Sequence, residues 1–170
     1  SNPEWVASDL IGQAEHDNLA QCILISKDKK LLEKVKIELI KQLKKIPRVS
    51  VARKSLNNNG ILMYVNSDKK IIEIVNKIAP EHLELNIQNY KSYVSKIRNA
   101  GSICLGKYAV MAMTDYNVGS NHVLPTNGSA KYSSGISVNE FYKRISYINL
   151  SKKGIESLGP SVITLANYEG

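Results

Sequence analysis

The sequence predicts an α/β fold: a layered, mostly parallel sheet with flanking helices, followed by a short helical C-terminal tail. Three observations carry this. Residues 22–25, 61–65 and 102–105 are compact apolar runs of strand length. Between the first two, residues 26–45 place Leu31, Leu32, Val35, Leu39, Ile40 and Leu43 at helical spacing. Residues 67–78 do the same with Ile71, Ile72, Ile74, Val75 and Ile78. Strands separated by whole helices pair in parallel.

Taken in order, Asn2, Pro3 and Glu4 start a first helix. Asn2 supplies a capping oxygen, Pro3 loses nothing by lacking an N–H in the first turn, and Glu4 meets the positive end of the dipole. Its stripe is Val6, Leu10, Ile11 and Ala14, and it carries Gln13 and His16 at i and i+3, spaced to reach one ligand. After the strand at 22–25, Ser26 is the expected cap of the long helix, which Pro47 closes. Residues 49–51 read as a short strand, 57–60 as a turn, and 61–65 as the next strand. Ser67 caps a helix that stops before Pro80. Leu83, Leu85 and Ile87 then alternate with polar residues as a half-exposed strand, a short helix covers 90–97, and 102–105 is a buried strand. Residues 115–135, rich in Gly, Asn, Ser and Thr, are too long for a mere connection and are expected to form part of a site at the carboxyl ends of strands. Ser137 and Glu140 have capping-box spacing, residues 145–150 are a last strand candidate, and a helical tail from Ser151 is interrupted at Gly159 and Pro160. The expected division is 1–145 as the α/β domain and 146–170 as a strand and helical tail that begins a small C-terminal domain.

Composition narrows the partners. A chain of 170 residues can bury one sizeable core, and no apolar run approaches the roughly 18 residues of a membrane span. No leader pattern stands at the N-terminus, so a cytoplasmic location is expected. The net charge of +8 raises nucleic acid as a partner. Two features argue against it: the lysines of residues 27–54 fall largely opposite the apolar stripe, and the nine tyrosines are not interleaved with them. Cys22 and Cys104 lie in apolar runs and suit buried thiols.

The residues best suited to chemistry are Glu81 and His82, adjacent in Ala79-Pro80-Glu81-His82-Leu83-Glu84-Leu85. A Glu and a His can act as general base and acid near neutral pH. The bland alternative is a loop with a solvated Glu and a satisfied His. The other histidines also keep polar company: His16 follows Gln13-Ala14-Glu15, and His122 lies in Asn121-His122-Val123-Leu124-Pro125-Thr126. His16 and Asp115 alone suit a helix end and a loop carboxylate as well as they suit metal ligands.

These stretches resemble histidinol dehydrogenase, together with Ser8-Asp9-Leu10-Ile11-Gly12, Ala100-Gly101-Ser102, Asp115-Tyr116 and Ser133-Ser134-Gly135, in the same order and over nearly the whole chain. The resemblance is to the C-terminal portion of the family, without its NAD-binding half and its extreme C-terminal segment, and it implies an incomplete Rossmann-like domain. It implies that Gln13, His16 and Asp115 bind one zinc ion, with a fourth ligand from that last segment. It further implies that His82 is the base on an alcohol, that Glu81 activates the water that attacks an aldehyde, and that Gln13, His16, Glu81, Asp115 and His122 meet the substrate, L-histidinol. The implied reaction oxidises L-histidinol through L-histidinal to L-histidine with two NAD, in a homodimer. No Gly-x-Gly-x-x-Gly follows any strand, so NAD would be held mainly outside this segment and the 170 residues alone are expected to be inactive. The alternative is a non-catalytic α/β binding or assembly module that retains part of the site.

Overall fold

A computed structural model describes residues 1–119 and 121–170, which form two units, Ser1–Ser137 and Val138–Gly170. In the first, α1 (Pro3–Ala14) starts as its sequence requires, the Asn2 side chain accepting from the Glu4 N–H at 2.9 Å. The chain then forms β1 (Ile23–Ser26), α2 (Lys29–Gln42), α3 (Val49–Asn59) and β2 (Ile61–Tyr64). After these come α4 (Asp68–Ile78), β3 (His82–Leu85), α5 (Lys91–Val94), β4 (Ser102–Leu105) and α6 (Met111–Tyr116). All pairing is parallel, β1 with β2 from Ile23 opposite Ile61, and β3 with β4 from His82 opposite Ser102. The α/β class with parallel strands is therefore as expected, and among the described residues the four strands form two separate two-stranded ladders.

Apolar burial explains the layers. Val6 and Ala7 of α1 close on Val35 of α2, with Leu24 of β1 and Leu31 and Leu39 around them. Ala14, Cys22 and Ala52 form a second cluster, where small side chains bring α1 and α3 close. The third, Val75, Leu85, Tyr93 and Ile97, lies under β3 and β4, and Ile25 of β1 packs against it. Cys22 and Cys104 are free and buried.

Several local expectations are corrected. The cap of α2 is Asp28, which accepts from the Lys30 N–H, while Ser26 ends β1 and accepts from the Asp28 N–H. Residues 49–51 open α3 rather than forming a strand. Ala52 and Ser55 are fully buried at helical spacing, and that packing overrides the β preference of Val49 and Val51. Residues 57–59 complete the same helix, with Gly60 as its cap. β3 ends at Leu85, before Ile87.

The second unit contains a 3-10 turn (Val138–Phe141) and α7 (Lys152–Glu169). Residues 145–150 form no strand, because an alternating pattern makes a strand only where a neighbour pairs with it. α7 runs unbroken through Gly159 and Pro160; the hydroxyls of Ser161 and Thr164 bond the carbonyls of Leu158 and Pro160 there. None of its described residues is buried, and Ile155, Leu158, Val162, Ile163 and Leu165 are exposed.

Candidate active site

The site begins with a tight stop. Ala79 ends α4 in the left-handed conformation (φ 53°, ψ 62°), its N–H bonded to the Val75 carbonyl and only 1% of its surface exposed. An alanine there costs roughly 1–2 kcal/mol of backbone energy, which the surrounding packing must offset. Pro80 cannot continue the helix, so the chain turns and delivers Glu81 and His82 to the start of β3. Backbone bonds hold that entry: the Gly101 N–H donates to the Pro80 carbonyl at 2.9 Å and the Ser102 N–H to that of Glu81 at 2.8 Å. Glu81 Oε1 lies 3.7 Å from His82 Nε2, an ion-pair distance too long for a direct hydrogen bond. His82 Nδ1 is buried and, among the described residues, has no hydrogen-bond partner. The couple thus sits at the amino edge of its strand, not at the carboxyl edge where sites of such sheets were expected.

A second imidazole–carboxylate couple comes from the other side of the loop. Asp115 is not a loop residue: it lies on α6, its side chain 7% exposed, with Oδ2 3.5 Å from Nδ1 of the exposed His122. Among the described residues its buried Oδ1 has no hydrogen-bond partner. The segment carrying His122 is packed: Val123 donates to Asn121 Oδ1, Ile136 donates to the Val123 carbonyl, and Pro125 is buried. Gly101 makes this possible. A Cβ there would stand 2.6 Å from the Glu81 carbonyl oxygen and 3.0 Å from Cδ of Pro125. The loop therefore rests on the backbone that carries Glu81.

Gln13 is half-buried in the last turn of α1, and His16 is exposed just beyond, its carbonyl accepting from Arg48. Among the described residues no three His, Cys, Asp or Glu side chains gather into a metal-binding group. The expected zinc set holds only two residues of those types, with the amide of Gln13 as its third. The structure thus pairs Glu81 with His82 and Asp115 with His122, and places Gln13 and His16 together at the end of α1.

Two carboxyls escaped the sequence. Glu84, between Leu83 and Leu85, reads as the wet face of a half-exposed strand. In the structure it is half-buried, shares a face of β3 with His82, and its Oε1 accepts from the Met111 N–H at 3.3 Å. Burial, then the charge of hydrogen-bonded Asp9 on α1, pushes Glu84 up to about 7. Burial also raises Asp9, with the bond from Glu84 opposing. Both line a cleft of about 420 Å³ with Trp5, Ser8, Gly106 and Lys107. The available signal was the two-residue spacing from Glu84 to His82.

A parallel α/β unit bearing two imidazole–carboxylate couples has the side chains of an acid–base site. Its lineage is specific: the family model described as histidinol dehydrogenase matches residues 1–170, and the chain belongs to that family. It is 81% identical over all 170 residues to a histidinol dehydrogenase of Pelagibacter ubique, and 43% and 45% identical to those of Listeria monocytogenes and Nitrosospira multiformis. The crystal structure of histidinol dehydrogenase from Elizabethkingia anophelis superposes on 99% of the chain with a TM-score of 0.87 at 40% identity. The chain spans about 40% of the length of these relatives.

Proposed function

We propose that this chain carries the acid–base and substrate-holding part of an enzyme that oxidises L-histidinol through L-histidinal to L-histidine with two NAD. The observation that carries the reading is the Glu81–His82 couple held at the start of β3 in a chain of this family. In this reading His82 takes the alcohol proton. Its buried, unpartnered Nδ1 leaves one ring nitrogen uncommitted to the fold. Glu81, more exposed than His82, takes a proton from the water that adds to the aldehyde. His122 meets the substrate across Asp115. NAD accepts the hydride in each oxidation, and the chain's own residues supply placement and proton transfer.

Zinc fits the donors at hand: an imidazole, an amide oxygen and a carboxylate with one buried oxygen lacking a hydrogen-bond partner. Gln13, His16 and Asp115 would hold it, and its role would be to fix the substrate. The exposed apolar face of α7 supports a homodimer, since an isolated helix of this kind gains its stability by covering that face. Among the described residues no helix is long and apolar enough to cross a membrane, and the two free buried thiols support a reducing, cytoplasmic setting. With cofactor placement resting mainly outside the matched span, the 170 residues alone are inactive in this reading.

The test separates the half-reactions in the whole protein. His82→Asn is expected to slow alcohol oxidation by roughly 10² to 10⁴, the usual worth of general acid–base catalysis. Glu81→Gln is expected to slow chiefly the conversion of supplied histidinal. Equal losses in both steps for both variants would reduce the couple to a packing role.

A further inference from the structure

Asp9 and Glu84 belong to neither couple, yet they join the elements that carry the candidate site. Asp9 lies one helical turn before Gln13 on α1. Glu84 lies two residues beyond His82 on β3, on the same face, and binds the backbone N–H of Met111, one turn before Asp115 on α6. Two carboxyl groups in hydrogen-bond contact cannot both stay ionised, so the contact itself requires a proton. The groups facing the pair add little to screen it. From β4 comes the Cys104 thiol, raised by burial and then by Glu84, with Asp115 and Asp9 contributing. From α1 come Trp5 and Ser8, and from the turn after β4 Lys107, the one cation lining the cleft among the described residues.

We propose that Asp9 and Glu84 share one proton, and that this carboxylic acid–carboxylate bond is a positioning device that fastens α1, β3 and α6 and so sets the site's side chains relative to one another. Glu84 is the donor and Asp9 the acceptor. A charged-acceptor O–H bond of this type is short and about twice as strong as a neutral one, which suits a joint among three elements. Its second oxygen is committed to Met111, so moving Glu84 moves the start of α6 as well. The placement of Gln13, His82 and Asp115 in a site rests on the function proposed above; the shared proton does not.

The test has two arms, both in the whole protein. In the first, carbon-detected NMR follows the Glu84 carboxyl as pH is raised. Wild type is expected to titrate well above a free glutamate, and Asp9→Asn, whose amide donates to an ionised Glu84, at least about one pH unit lower than wild type. Titration of Glu84 as a free surface carboxyl, or no change in Asp9→Asn, overturns the shared proton whatever the activity. In the second arm kcat is compared for Glu84→Gln, which keeps a neutral donor and an acceptor, and Glu84→Leu, which keeps neither. The amide is expected to stay within about threefold of wild type and the leucine to lose about 10- to 100-fold in kcat while still folded, the scale of a misplaced catalytic group. A folded Glu84→Leu protein with wild-type kcat overturns the positioning role. If wild type does not oxidise histidinol, the proposed function fails, and the titration arm and zinc affinity of the same two variants decide the pair.

Discussion

Residue 101 shows how little room the site leaves. A methyl group there would enter the Glu81 carbonyl and the Pro125 ring together, and neither is the free end of a flexible chain. Gly101→Ala is therefore expected to cost about 1–3 kcal/mol of stability, the usual price of overfilling a packed spot. It is also expected to slow the aldehyde step more than the alcohol step, because Glu81 is what moves. Thermal melting and separate half-reaction rates check this, and an unchanged melt would mean that the loop yields freely. At this scale the sequence was informative where residue types are chemically unusual: the adjacent Glu81 and His82 stood out as candidates, whereas Asp115 drew notice only through the family resemblance. It was silent on Asp9 and Glu84, because a carboxyl flanked by leucines looks the same whether its other side meets water or another acid.

Among the elements, the turn from α4 to β4 depends on one side chain. Asn76 Oδ1 accepts from the N–H groups of Arg98 and Asn99, at 2.7 and 3.1 Å, and its Nδ2 donates to the Lys96 carbonyl at 3.0 Å. The Asn99 side chain returns a bond to the Asn76 carbonyl at 2.8 Å. This clasp holds residues 96–99 just before Gly101 meets Glu81. Asn76→Ala removes three bonds and is expected to destabilise by about 2–4 kcal/mol, read as a shifted denaturant midpoint with unchanged slope. A shift of a few tenths would show that water replaces the clasp without cost. Helices with a clear stripe were legible from their periodicity, and α1 and α4 start at the expected caps, Asn2 and Ser67. What misled was β-branched sequence without a partner: residues 49–51 joined a helix against α1, and residues 145–150 found no strand to pair with. Pairing partners are a property of the tertiary fold, which local pattern does not encode.

For the whole molecule, the raised Glu84 carboxyl ties stability to pH in a definite direction. Its folded value, about 7, exceeds its reference of 4.5, so folding binds a proton in that interval. The stabilisation is complete below about pH 4.5, declines as pH rises towards about 7, and then levels off. Relative to Glu84→Gln, wild type should lose melting temperature across that window; parallel curves would show that the carboxyl is ordinary. The divided sheet adds a consequence of another kind. Among the described residues β1–β2 and β3–β4 share no ladder hydrogen bonds, and the second pair packs mainly on Val75, Leu85, Tyr93 and Ile97, a cluster that the first touches only through Ile25. Either ladder can therefore open without unzipping the other, and amide hydrogen exchange is expected to resolve two opening free energies rather than one, with Leu83 and Ile103 exchanging as one group and Leu24 and Leu62 as another. The strand that opens at His82, with Glu81 just before it, would then keep its shape through excursions that unravel the other half of the fold.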